Sequence, residues 1–180
     1  MKKIFARSLV AIGVASANVG AAPTVQVEGD SGGTTLYFSN TLLSALDSAG
    51  VSVGDVEPAS LSSEKPRIRF PIAGGVLDLD GTLGEIDHAG GIQFTSGEGK
   101  TVTLHNFTIE AQSGDVFVSG VVEVDGDLVG RERLFNVEHD AEDVEVDEDG
   151  EIRLRKLRLL ITTDAVSVLE MLGVMLNENN

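Results

Sequence analysis

The sequence predicts a mostly β protein, an antiparallel β-sandwich or barrel of about eight or more strands with two short helices. Tight-turn residues recur through the middle of the chain, and these residues tolerate the positive φ angles of hairpins. Val, Leu, Ile and Phe flank every turn and suit a pleated, half-buried surface. Only two segments have helical spacing. The turns are Asp80-Gly81, Ser96-Gly97-Glu98-Gly99, Ser113-Gly114-Asp115, Asp125-Gly126 and Asp149-Gly150.

The N-terminal residues 1–21 are typical of a secretory signal peptide. Lys2, Lys3 and Arg7 form a basic head, residues 4–19 are mostly apolar or small without an acidic residue, and Val19-Gly20-Ala21 offers a small-residue cleavage site. The apolar stretch is shorter than the roughly 20 residues that cross a bilayer. We therefore expect a signal peptide over 1–21, a single β-rich domain over 22–180, and a periplasmic, secreted or cell-surface protein with no membrane span after cleavage.

Net charge and amino-acid composition exclude some functions for this protein. Cleavage would leave 10 basic residues (13 − 3) against 29 acidic ones, a net charge of −19 (10 − 29). Such a surface repels nucleic acid, so a nucleic-acid partner is not expected. The chain has no cysteine, so neither disulfides nor thiol chemistry is used. With one Tyr, seven Phe and no Trp, the core must be largely aliphatic.

The first elements are two short strands and a helix. Residues 24–28 and 34–38 alternate as strands do, and the helix over 41–49 has Ser39 or Asn40 as its cap and Gly50 as its stop. Residues 51–65 lack periodicity and indicate a surface connection. Pro66 and Pro71 bracket an extended segment over 67–70 that suits an edge strand.

The second half of the sheet follows in order and ends in a helix. Two segments change their hydrophobic phase, at His105-Asn106 and at Arg155-Lys156, which predicts a β-bulge or a crossing between sheets. After Thr162, Thr163 and Asp164, the helix over 165–176 is apolar on nearly every side, which favours burial against the sheet over docking on a partner. The predicted strands are 76–79, 84–87, 91–95, 101–109, 116–124, 127–135, 144–146 and 151–161.

Histidines are the first candidate site residues. Asp87 precedes His88, and a carboxylate can orient an imidazole for metal binding or proton transfer. However, adjacent strand residues face opposite sides, which favours a structural role for His88. His105 lies at the first phase change and His139 lies in an acidic loop. Three dispersed histidines do not make a zinc signature.

The acidic run over 138–151 suggests calcium, with Asp147 and Asp149 as candidate ligands. An EF-hand loop needs a bidentate Glu at its last position, where this chain has Lys156. A hairpin turn over 147–150 explains the run better.

Catalytic motifs are absent from the sequence. No Ser lies in a Gly-x-Ser-x-Gly elbow. Asp78 and Asp80, at two-residue spacing, and Asp87 are the acids that a hydrolase would use, but strand alternation accounts for the spacing. We therefore expect a protein that is not an enzyme.

Four stretches together resemble exported bacterial β-proteins related to the HtaA domain, over roughly residues 70–172. They are Phe70-Pro71-Ile72-x-Gly74-Gly75, Gly84-x-Ile86-x-His88-x-Gly90-Gly91-Ile92-x-Phe94, Leu104-x-Asn106-Phe107-x-Ile109 and Ile161-Thr162-Thr163-x-Ala165. The resemblance implies haem binding at a cell surface. This chain departs from the family where a His usually follows the Gly-x-Val-x-Phe strand, since Thr95-Ser96-Gly97 stand there, and no Trp opens the domain. The resemblance then implies an axial ligand from Tyr37, His88 or His105.

The sequence thus predicts an exported, non-enzymatic binding or structural module. Its partner would be an apolar or planar ligand such as haem, or another envelope protein. The alternatives are an acidic surface or adhesion module stabilised by calcium and, last, a hydrolase. The candidate ligand-binding residues are Tyr37, His88, His105, Phe70, Phe94 and Phe107, with Leu172 as further lining.

Overall fold

The computed structural model describes residues 3–9, 24–28, 32–78, 83–138, 144–146, 152–154 and 157–176. Within these ranges the chain is mostly β, as predicted, with fourteen strands and two helices. The strands are β1 (Lys3–Leu9), β2 (Thr24–Glu28), β3 (Gly33–Tyr37), β4 (Ser52–Val56), β5 (Ser60–Leu61), β6 (Arg67–Asp78), β7 (Leu83–His88), β8 (Gly91–Thr95), β9 (Thr101–Gln112), β10 (Asp115–Val124), β11 (Asp127–Glu138), β12 (Val144–Val146), β13 (Ile152–Leu154) and β14 (Arg158–Ile161). The helices are α1 (Asn40–Ser48) and α2 (Thr163–Glu170).

Twelve of the described strands form one antiparallel sheet in the order β10-β11-β14-β1-β3-β6-β7-β9-β8-β4, with β2 and β5 also paired to β6. β9 pairs with β10 as well, so the sheet bends round one interior. The result is sandwich-like. Strands β12 and β13 form a separate hairpin whose predicted turn, residues 147–150, lies outside the described residues.

The first predicted phase change is confirmed in β9. Asn106 has a φ of +51°, and the pairing with β10 shifts register opposite it, between Ser119 and Val121. Because of this bulge, Leu104 and Phe107 are both buried in the same core, although a spacing of three positions would place them on opposite faces of a regular strand. The second change, at residues 155–156, lies outside the described residues, between strands that belong to different sheets.

The prediction of an edge strand over residues 67–70 is wrong. These residues begin β6, which pairs with β3 and β5 at its first half and with β2 and β7 at its second. Pro71 is tolerated because it lies at the end of the β3 pairing, next to a register shift between Ile72 and Gly74 where the strand changes partner. Proline has no backbone N–H to donate to a neighbouring strand. At Pro71 this costs little, because the hydrogen-bond ladder is already interrupted there.

The prediction of a surface connection over residues 51–65 is also wrong. β4 pairs with β8 along its full length, and the two-residue β5 pairs with β6. Neither strand contains a fully buried residue, so their sequences lack the hydrophobic alternation of a half-buried strand.

Both predicted helices are present and capped as expected. The Ser39 hydroxyl accepts a hydrogen bond from the Leu42 backbone at α1, and the Thr162 hydroxyl accepts one from Ala165 at α2. α2 ends at Glu170, earlier than predicted, and Gly173 follows with a φ of +78°. One face of α2 is buried as favoured by the sequence. Among the described residues, no helix is both long and apolar enough to cross a bilayer.

Strand β1 comes from the predicted signal peptide and lies between β14 and β3. Ile4 is opposite Leu159, and Ala6 is opposite Leu36. Signal cleavage stays a prediction, since residues 10–23 lie outside the described residues. If β1 were removed, β3 and β14 would each lose the strand with which both of them pair.

Candidate functional site

An apolar cavity of about 70 Å³ lies between the inner face of the sheet and the two helices. Phe70, Phe94 and Phe107, three of the predicted ligand-binding residues, line it together with His88. Leu42 of α1 and Ala165 and Leu169 of α2 contribute the helical side. Leu172 is buried in the same core but does not line the cavity.

Strand alternation places the aromatic rings at the cavity. Ile68, Phe70 and Ile72 of β6 are buried, whereas Arg69 between the first two and Ala73 after the last are exposed. Across the cavity, the bulge in β9 turns Phe107 inward, where its ring meets Phe70 edge to face with centroids 5.1 Å apart. An edge-to-face pair gains about 0.5–1.5 kcal/mol beyond its buried area, so the two rings stiffen this side of the cavity.

His88 and Thr34 are the polar residues that line this cavity. His88 is the titratable one. The His88 side chain is 4% exposed, and its Nε2 atom lies 2.6 Å from the hydroxyl oxygen of Thr34. The backbone of Phe107 and Ile86 lies close by, yet Nδ1 has no partner in hydrogen-bond geometry among the described residues. A buried polar atom without a partner is uncommon and costs about 1–3 kcal/mol.

Burial lowers the pKa of His88 from 6.5 to about 4. The backbone of Phe107, the Asp87 carboxylate and the backbone of Ile86 favour the charged form and oppose this shift only in part. The imidazole is therefore neutral near pH 7, with one nitrogen that donates and one that accepts. It offers a ligand one uncharged polar contact in otherwise apolar surroundings.

The structure does not bring Tyr37 and His105 to the cavity. Tyr37 lies on the outer face of β3, where its hydroxyl accepts a hydrogen bond of 3.4 Å from Arg67. His105 lies outside on β9, 3.2 Å from Glu123. The set of axial ligands that the HtaA resemblance implies is thus divided between two faces, and His88 alone remains at the cavity.

Of the metal and hydrolase candidates, only Asp78 and Asp87 lie within the described residues. Asp147, Asp149 and Asp80 lie outside the described residues. Asp78 accepts a hydrogen bond from the Leu83 backbone at 3.1 Å, and Asp87 accepts one from the Thr108 hydroxyl at 2.7 Å. Across the described ranges, no three His, Asp or Glu side chains are grouped so that they could hold a metal ion.

Sequence reasoning missed a polar network on the outer face of β9, β10 and β11. Arg131 Nη1 donates to the hydroxyls of Thr108 and Ser119, at 3.2 and 2.9 Å, and Nη2 donates to the Asn106 carbonyl at 2.9 Å. Ser119 in turn donates to Glu110 at 2.6 Å. The two hydroxyls are buried, so the guanidinium satisfies groups that water does not reach. Pairing between strands that are distant in sequence brings these residues together, and no local sequence pattern predicts it.

Replacing Arg131 with Met is expected to destabilise the protein by about 2 kcal/mol, because two buried hydroxyls lose their donor. Urea unfolding measures the change. The control is Arg158→Met, which removes only an exposed ion pair with Glu138 of 3.8 Å and is expected to cost under about 1 kcal/mol. Equal losses of unfolding free energy in the two variants would show that the network stabilises the protein no more than an exposed ion pair does.

No protein-family model matches the chain, and neither a curated protein nor a solved structure is significantly similar to it.

Proposed function

We propose that the protein is an exported, non-enzymatic binding module that holds a small apolar ligand in the cavity between sheet and helices. The observation that carries the proposal is the cavity itself, which is apolar apart from His88 and Thr34. Ligand sites are typically apolar concavities with a few polar groups that fix orientation. The unpartnered Nδ1 of His88 supplies such a group.

The size of the cavity favours a small ligand over haem. At about 70 Å³ it is far below the roughly 300–1,000 Å³ of pockets for drug-sized ligands. Haem would require α2, which lines the cavity with Ala165 and Leu169, to move away, and the Nε2 atom of His88 already lies 2.6 Å from the Thr34 hydroxyl oxygen. The described residues therefore do not fit haem in this conformation, so the proposed ligand is an apolar molecule smaller than haem.

Filling the cavity is expected to abolish binding. Ala165→Val adds two methyl groups at a lining position of α2, whereas Ser167→Val adds a similar side chain at an exposed position of the same helix. Benzene or indole serves as the probe, and the melting temperature is measured at increasing concentration, since a ligand that binds the native state raises it. We expect the rise in the natural protein and in Ser167→Val but not in Ala165→Val.

A rise that persists in Ala165→Val would place binding outside the cavity, and no rise in the natural protein would contradict the proposal. Haemin is tested in parallel by its Soret absorbance. Because the cavity is too small for haem, we expect no shift of the Soret band. A Soret shift that is lost in His88→Ala and kept in Tyr37→Ala would extend the proposal to haem.

A further inference from the structure

A second concavity lies on the opposite, outer face of the same strands. It has a volume of about 250 Å³ and is lined by Thr35, Ser60, Leu61, Ser62, Arg67 and Arg69. Because β6 alternates, Ile68 and Phe70 face the core while Arg67 and Arg69 face this cleft. The chain carries 13 basic and 29 acidic residues, so two arginines in one cleft without an acidic lining residue are a marked local exception.

The strand register gathers hydroxyl groups around the arginines. Arg69 lies opposite Thr35 on β3 and opposite Ser60 on β5, and Arg67 lies opposite Tyr37. Residues directly opposite in antiparallel strands share a face, with their Cβ atoms about 4.5–5.5 Å apart. Ser62 accepts hydrogen bonds from the backbone of Glu64 and Lys65, each of 3.3 Å, which leaves its hydroxyl hydrogen available.

The arginines are not neutralised within the described part of the chain. Neither Arg67 nor Arg69 has a carboxylate within ion-pair distance there, and Arg69 has no side-chain hydrogen bond. The Arg67 side chain donates a hydrogen bond of 3.4 Å to the Tyr37 hydroxyl. Asp55, on the neighbouring β4, is engaged by the Leu61 backbone at 3.1 Å.

Gly33 makes room for the Arg69 guanidinium. A Cβ atom at Gly33 would lie 2.7 Å from Arg69 Cζ, so the guanidinium lies against the bare backbone of β3. The glycine thereby leaves space in which the guanidinium can lie beside the cleft.

We propose that this cleft binds a phosphate group, as the free ion or as a monoester. Arginine presents a planar fork of donors that matches phosphate oxygens, and hydroxyls add further donors. A phosphate monoester carries close to two negative charges at neutral pH, which two arginines balance, whereas a carboxylate carries one. This site goes beyond the proposed function, because β3 and β6 separate the cleft from the apolar cavity.

Titration of the full chain with inorganic phosphate at constant ionic strength tests the proposal, with amide chemical shifts as the readout. We expect saturable shifts centred on Thr35, Ser60, Ser62 and Arg69. Arg69→Gln is expected to weaken binding at least tenfold, and Arg69→Lys to weaken it less because the charge stays but the fork is lost. Gly33→Ala weakens binding without a change of charge. The control Arg158→Gln leaves binding unchanged.

Further arms distinguish the source of the phosphate and the independence of the site. Glycerol 3-phosphate tests a soluble monoester, and vesicles of phosphatidylcholine with or without phosphatidic acid test a lipid headgroup; binding in either arm supports the phosphate chemistry. Binding that survives in Ala165→Val separates the cleft from the cavity. No saturable shift with any phosphate probe, acetate binding as tight as phosphate, or affinity unchanged in both Arg69→Gln and Arg67→Gln would overturn the proposal.

Discussion

Acidification from pH 6.5 to pH 4 is expected to destabilise the folded protein by about 3 kcal/mol through His88 alone. The pKa of the buried imidazole is lowered to about 4, whereas in the unfolded chain it returns to 6.5. Between these values the unfolded state binds a proton that the folded state excludes. Stability is therefore complete above pH 6.5 and is lost progressively as the pH falls towards 4.

Urea unfolding at pH 7 and pH 5 measures this effect, and His88→Gln is the comparison. Glutamine keeps a polar side chain near Thr34 but does not titrate. The natural protein is expected to lose about 2 kcal/mol more than the variant between the two pH values. Carboxylates titrate in both proteins, so their contribution cancels in the difference. An identical pH dependence in both would show that His88 is not buried as described.

Gly84→Ala is expected to destabilise the protein by about 3 kcal/mol or more. Gly84 has a φ of +136°, where other residues are strained, and an added Cβ would overlap the Val76 carbonyl oxygen and lie 2.8 Å from the Leu77 Cα. The clash is with the backbone of β6, which cannot move aside cheaply. Because β7 carries His88 opposite Ile72 of β6, and β6 also carries Phe70, the substitution also disturbs the cavity.

Gly99→Ala is the matched control, since Gly99 also has a positive φ, +85°, but nothing lies within 4 Å of the added Cβ. It is expected to cost only about 1 kcal/mol, the conformational penalty without the clash. Chemical denaturation compares the two variants. A similar cost at both positions would contradict the close approach of β6 and β7.

The elements that local signals encode were predictable from the sequence. The hairpin turns at 96–99, 113–115 and 125–126, the caps at Ser39 and Thr162 and the bulge at Asn106 depend on neighbours along the chain, and they are found where they were expected. The predicted turns at 80–81 and 149–150 lie outside the described residues. The strands β4 and β5 were not predictable, because pairing with β8 and β6 rather than their own hydrophobicity forms them. The edge position expected for residues 67–70 rested on two prolines, and the change of partner at Pro71 removes that argument.

The candidate site was predictable only in part. The sequence indicated Phe70, Phe94, Phe107 and His88, which line one cavity. It could not separate them from Tyr37 and His105, because the face on which a residue lies depends on the register of strands distant in sequence. The outer cleft could not be predicted for the same reason, because Thr35, Arg69 and Ser60 come from three different strands.

A crystal structure determined under xenon pressure tests the binding cavity most directly, since xenon occupies dry apolar cavities and scatters strongly. We expect a xenon atom among Phe70, Phe107 and Leu169 in the natural protein and none in Ala165→Val. Ordered water molecules in that space, or a collapsed cavity without xenon in the natural protein, would contradict it.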